Sequence, residues 1–143
     1  MSDERQLQFV DTNILVYAHD ISAGEKYKLA REIVQQLWET EDGCLSIQVL
    51  QEFYVTATQK VPVPLDAPTA SQIIRQLSYW KIHVPNEQDV LEAINLHKRL
   101  TVSFWDAMIL WSAKRLGCSI VWTEDLNPDQ DYDDLKVVNP FAR

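Results

Sequence analysis

The sequence predicts an α/β fold built on a mostly parallel sheet with helices on both faces. Two observations carry this. Strand-like and helix-like segments alternate over the whole length, and parallel neighbours need such crossover helices. The segment Ser119 to Thr123 is β-branched and apolar, as expected of a strand buried from both sides.

Leu7 to Val10 reads as the first strand, and the polar Asp11-Thr12-Asn13 after it offers cap chemistry for a helix beginning at Ile14. Beyond a loop at Gly24, Lys26 to Trp38 places Leu29, Ala30, Ile33, Val34 and Leu37 on one helical face. Gly43 reads as a break before a strand over Cys44 to Ile47, and Val49, Leu50, Phe53, Tyr54 and Ala57 mark a helix to about Lys60. Pro62, Pro64 and Pro68 mark a connection, with Pro68 suited to a first helical turn ahead of Ile73, Ile74, Leu77 and Trp80. Lys81 to Val84 is the next strand, Asn86 a cap for the helix through Val90, Leu91, Ile94 and His97, and Ser103 opens a helix that Gly117 stops. Glu124 to Asp134 holds six acids in eleven residues and reads as a solvated loop before a last strand, Lys136 to Val138.

Composition narrows the function. The 143 residues are expected to form one domain, 1–143, and a 46% hydrophobic share with 24% charged residues excludes disordered and disulfide-scaffold classes. The glycines Gly24, Gly43 and Gly117 are isolated, which excludes a phosphate-binding P-loop and a glycine-rich dinucleotide turn. Cys44 and Cys118 form no Cys-x-x-Cys pair and read as reduced core thiols; His19, His83 and His97 lack zinc-ligand spacing. The longest apolar run, Ile14 to Ala18, is too short for a membrane span, and Met1 to Arg5 shows no secretory signal, so a cytoplasmic location without membrane association is expected. A net charge of −8 opposes nucleic-acid binding by counterion release alone; nucleic-acid chemistry here needs metal ions or a local basic groove.

Four acids border or interrupt apolar segments: Asp11 in Val-Asp-Thr-Asn, Glu52 in Leu-Gln-Glu-Phe-Tyr, Asp106 in Ser-Phe-Trp-Asp-Ala and Asp125 in Thr-Glu-Asp-Leu. A carboxylate beside a core must be hydrogen-bonded, paired or metal-bound, and no basic residue sits near Asp11, Glu52 or Asp106 in sequence. Several carboxylates facing one another make a hard-oxygen site for Mg²⁺ or Mn²⁺. Asp11 follows the first strand and Asp125 the Ser119–Thr123 strand, so both are expected at the carboxyl edge of the sheet, where ligands of such sheets gather. Other roles compete. Asp11 also suits a helix cap, Glu52 a solvated helix face, and Ser103-x-x-Asp106 has the form of a capping box, the better reading of Asp106 taken alone. Trp38, Trp80, Trp105, Trp111 and Trp122 read mainly as core.

Taken together, Phe9 to Ala18, Ser46 with Gln48 to Tyr54, Ser103 to Ala107, Gly117-Cys118 through Thr123 to Leu126, and Val138 to Phe141 form an ordered set that resembles the PIN-domain ribonucleases, specifically VapC-type toxins of toxin–antitoxin modules. The resemblance implies a three-layer α/β/α domain of strand order 3-2-1-4-5. It implies metal-dependent hydrolysis of RNA phosphodiesters, with Asp11, Glu52, Asp106 and Asp125 as catalytic metal ligands and Asn13 and Thr123 as polar supports. Mg²⁺, with Mn²⁺ as substitute, an RNA substrate, a cognate antitoxin and a homodimer follow from the same resemblance. The chain departs from many relatives at Asn127-Pro128-Asp129-Gln130-Asp131, where they carry a glycine-containing turn, and Asp129 stays open as an outer ligand. The alternatives are a noncatalytic PIN-like module binding RNA or protein, a DNA-directed relative, and a haloacid-dehalogenase-type phosphatase. The last needs an acid two residues after Asp11, where Asn13 stands.

Overall fold

The structure, a computed structural model, describes residues 5–142. The elements run β1 (Gln8–Val10), α1 (Thr12–Tyr17), a short 3-10 turn (Ile21–Ala23), α2 (Glu25–Thr40), β2 (Gly43–Ser46), α3 (Ile47–Gln59), α4 (Ala67–Leu77), β3 (Lys81–His83), α5 (Glu87–Leu100), α6 (Phe104–Leu116), β4 (Ile120–Trp122) and β5 (Lys136–Val138). The strands are all parallel, in the order β3-β2-β1-β4-β5, with Phe9 level with both Cys44 and Val121.

This order explains the three layers. From β1 the chain steps outward through β2 to β3, then returns past β1 to β4 and steps the other way to β5. Right-handed crossovers made in opposite directions place their helices on opposite faces. Accordingly α1 packs on α2 and α3, and α3 on α4, while α5 and α6 pack together against the sheet. Both faces of the strands are covered, so Phe9, Val10, Cys44, Leu45 and Val121 are fully buried. On the α5–α6 side, His83 is buried at the end of β3 with Nδ1 2.8 Å from Ser112 Oγ and Nε2 3.3 Å from Asp89, and Asp89 also accepts from Trp111 Nε1 at 2.8 Å. That polar network spans β3, α5 and α6, and explains a histidine without a ligand role.

Side chains start the helices where the sequence places polar residues. Ser46 caps α3, Asp66 caps α4 with Pro68 in its first turn, Asn86 and Asp89 form a reciprocal capping box on α5, and Ser103 caps α6. α1 begins at Thr12, two residues before the expected Ile14, because Asp11 itself is the cap.

Gly43 corrects the sequence reading. It does not interrupt the chain but begins β2, where the Trp80 indole packs closely against it; a Cβ there would sit 2.5 Å from Trp80 Cε3. Trp80 in turn meets Trp38 edge to face at 5.5 Å. The loop between β4 and β5 is also more than a solvated charge run. Leu126, Tyr132 and Leu135 are buried, and Tyr132 donates to the Asn127 carbonyl at 2.8 Å, which folds the loop compactly enough to join two parallel strands without a helix. Gly43→Ala is expected to push Trp80 aside and destabilise the fold by about 1–3 kcal/mol, the range for overpacking. Denaturant melts with near-ultraviolet dichroism check this, and an unchanged midpoint would refute the close-packing role of Gly43.

Candidate active site

The site forms where β1 and β4 end. Beyond the last ladder residue of β1, the Asp11 N–H still donates to the Trp122 carbonyl at 2.9 Å, and the Thr123 N–H donates to Val138 at 3.0 Å. These bonds fix Asp11 and Thr123 side by side at the carboxyl edge, at the point where the chain's steps across the sheet reverse. Both are buried. Asp11 Oδ1 accepts from the Thr12 N–H at 2.7 Å and Oδ2 from the Thr123 hydroxyl at 2.8 Å.

From this pair the network spreads to the other acids. Thr123 Oγ1 accepts from the Asp125 N–H at 3.1 Å and from Asn13 Nδ2 at 3.3 Å, and the same Asn13 amide donates to Asp125 Oδ2 at 2.9 Å. Asn13 Oδ1 accepts from the Glu124 N–H at 3.2 Å. Thr12 Oγ1 donates to Glu52 Oε1 at 2.8 Å, tying α1 to α3, and Gln48 Nε2 reaches both Glu52 Oε2, at 3.5 Å, and the Trp105 carbonyl, at 3.4 Å. Asp106 stands in the first turn of α6, its N–H bound to Ser103 Oγ at 3.0 Å.

The electrostatics follow from this crowding. Burial pushes the Asp11 carboxyl up to about 7, hydrogen bonds from Thr123 and Thr12 work against the rise, and the charges of Asp125 and Glu52 add to it. Asp106 is also raised, first by burial, with the Ser103 hydroxyl opposing and Asp125 and Glu52 adding. Asp125 and Glu52 therefore bear on both Asp11 and Asp106, although Asp125 is exposed and Asp11 sealed. Among the described residues none of the four has an ion-pair partner, and no three His, Cys, Asp or Glu side chains are drawn closely enough together to form a metal site as they stand. Asp11, Glu52 and Asp125 are each held by a donor of their own. Asp129 is exposed, its N–H turned onto Asn127 Oδ1, and it makes no described bond to the four.

The sequence matches the PIN domain over residues 9–131. The chain belongs to the PIN domain family. Comparison with curated proteins returns no match. Among solved structures, this PIN domain is similar to a toxin–antitoxin complex from Klebsiella pneumoniae, at 19% identity and TM-score 0.67, covering 94% of this chain and 98% of that one. It is also similar to the Mycobacterium tuberculosis VapC20, described as a Sarcin-Ricin loop cleaving toxin, at 17% identity, TM-score 0.62 and coverage of 85% and 91%. A third is the DNA-bound VapBC from Salmonella typhimurium, at 18% identity, TM-score 0.64 and coverage of 94% and 98%.

Two parts of this PIN domain's site escape a sequence reading. Thr12 looks like cap chemistry but spends its hydroxyl on Glu52, and Gln48 joins α3 to α6; their only signal is a polar residue inside an otherwise apolar block. A clamp beneath the site, in which Tyr17 donates to Glu124 at 2.6 Å and Lys26 pairs with Glu124 at 2.9 Å, joins residues about a hundred positions apart and leaves no local signature. Trp105 also departs from the core expectation: it is 63% exposed beside Asp106.

The raised Asp11 makes metal-free stability depend on pH with a definite sign. Its folded pKa, about 7, lies above the ordinary 3.8, so the folded chain binds more protons between those values, and Asp11's contribution is lost as pH rises from about 4 through 7. His19, lowered by burial, runs the opposite way near its ordinary 6.5 and is cancelled by comparing variants. The difference in unfolding free energy between wild type and Asp11→Asn, measured in chelator at pH 5 and pH 8, is expected to shift by a few kcal/mol at most in favour of Asn at the higher pH. A pH-independent difference would contradict a carboxylate ionised against its surroundings.

Proposed function

We propose that this PIN domain is a divalent-metal-dependent endoribonuclease and the toxin of a toxin–antitoxin pair. The observation that carries the proposal is the sealed carboxylate of Asp11, raised by burial and by the charges of Asp125 and Glu52, with no cationic partner described for any of the four acids. An all-oxygen set of this charge suits Mg²⁺ or Mn²⁺. Asp11 and Asp106 would be the principal ligands of a bound cation, with Glu52 and Asp125 completing the set directly or through water.

When bound, such a cation polarises the phosphodiester and lowers the pKa of an attacking water. The chain's own residues do the positioning. Thr123 donates to Asp11 and fixes the orientation of its carboxylate, Asn13 holds Asp125 over the cleft, and Thr12 holds Glu52 toward it. Hydrolysis adds water across one P–O bond of the strand. RNA as substrate is supported by the likeness to a toxin described as cleaving the Sarcin-Ricin loop, and the antitoxin by likeness to toxin–antitoxin complexes. The −8 charge favours a basic partner electrostatically.

Asp106 separates chemistry from capping. Asp106→Asn removes one charge from a repelling group, so its metal-free melting temperature is expected to equal or exceed wild type, while cleavage of cellular RNA with Mn²⁺ falls at least a hundredfold. Saturating Mn²⁺ raises the melting temperature of wild type more than that of the variant. Ser103→Ala loses about 1 kcal/mol with its cap yet keeps cutting. Wild-type cleavage rates in a stable Asp106→Asn protein would remove the catalytic assignment.

Co-expression with the product of the adjacent gene is expected to yield a complex that no longer cuts RNA. Should neighbouring products neither bind nor inhibit, the toxin–antitoxin assignment falls and the nuclease assignment remains.

A further inference from the structure

A groove of about 740 Å³ leaves the acidic cluster and runs between α1 and α3. Thr12, Asn13, Glu52 and Asp125 line its acidic end, Val16 and Val55 its walls, and Lys60 with Val61 and Pro62 its far end. Among the described residues lining it, Lys60 is the one cation, and no described side-chain bond or ion pair engages its ammonium. Asp20, also in the groove, is held through Oδ1, which accepts from the Ser22 N–H and hydroxyl at 3.1 and 2.6 Å.

The position of Lys60 is fixed by the fold. It caps the C-terminus of α3, its N–H bound to the Thr56 carbonyl at 2.9 Å, and the Leu65 N–H returns the proline segment to Ala57 at 2.9 Å. Glu52, Thr56 and Lys60 are spaced i, i+4, i+8 and so share one stripe of α3. At 1.5 Å per residue the Lys60 backbone lies about 12 Å along the axis from Glu52, too far for both residues to serve the same phosphate. A strand bound at the acidic end and following this groove would carry its neighbouring phosphates toward Lys60. In a chain of net charge −8, a single unpaired ammonium placed there is a local exception to the general repulsion.

We propose that Lys60 is a strand-positioning residue that binds a non-scissile backbone phosphate of single-stranded RNA lying in the groove between α1 and α3. The proposal rests on the nuclease reading for its ligand. It assigns Lys60 no part in bond breaking: the ammonium holds a phosphate as a point charge and sets where along the strand the acids act.

The test uses the full chain carrying Asp106→Asn, with Mn²⁺ and a fluorescein-labelled twelve-nucleotide single-stranded RNA of mixed sequence as probe. Adding Lys60→Ala is expected to weaken binding roughly fivefold and to flatten the plot of log affinity against log salt by about 0.7, the value for one phosphate contact on a single strand. Lys60→Arg restores both. Replacing phosphates one at a time by neutral methylphosphonate weakens binding to the Lys60 protein at a position away from the bond the wild-type chain cuts, and that position has no effect on Lys60→Ala. Equal affinity and equal salt slope with and without Lys60 would overturn the proposal, whatever the substitution does to a protein partner, as would sensitivity confined to the cleaved phosphate. RNA bound with this Lys60 dependence but never cut by the wild-type chain supports the groove assignment and removes the nuclease reading. Cutting without Lys60 dependence does the reverse.

Discussion

A carboxylate sealed at the end of a buried strand has to be satisfied from inside the protein, and the Thr123 hydroxyl does this for Asp11. One hydroxyl offers one donor and two acceptor sites. All three are used: the donor on Asp11, the acceptors on Asn13 Nδ2 and the Asp125 N–H. Through that oxygen the edge of β1, the first turn of α1 and the start of the β4–β5 loop become one unit. The strand order makes this possible, because only the reversal beside β1 sets β4 against it rather than two places away.

Capping and a place in the carboxylate cluster are not competing roles here. Asp11 gives one oxygen to the first N–H of α1 and the other to Thr123, so the cap is what orients the carboxylate. Asp106 is held differently. Its backbone N–H is the group that Ser103 caps, while on α5 the acid at the matching position, Asp89, bonds back to the Asn86 N–H and closes its box. The same spacing thus produces a closed structural box in one helix and, in the next, an acid set among other carboxylates. What differs is the surroundings: Asp89 faces His83, Trp111 and Arg115, whereas Asp106 faces Glu52 and Asp125.

The distribution of charge sorts the acids of the β4–β5 loop in the same way. Arg99 and Lys114 both reach Asp133 and hold its carboxyl well below the usual range, and Lys26 with Tyr17 occupies Glu124. These are fasteners for the loop. Asp125, which lies between Glu124 and Asp133 in the chain, receives on its carboxylate only a neutral donor, the Asn13 amide. A loop uniform in composition is therefore divided by its partners into structural and open carboxylates.

The alternation of elements, the caps at Asp11, Asn86 and Ser103, and the buried strands were legible in the sequence because each depends on residues a few positions apart. So were the four acids one by one, since a charged residue beside an apolar run is a local anomaly. Resemblance to a family supplied their grouping and the strand order, which periodicity does not contain. The tertiary structure alone decided what depends on distant residues meeting. Gly43 lies within a strand because Trp80 needs the space, Trp105 stays outside because its position on α6 faces away from the sheet, and Thr12 and Gln48 act on Glu52 across helices. Local chemistry fixes which residue types are present at each turn of the chain; which partner each one finds is set by packing, and the charge of a carboxylate takes its meaning from that partner.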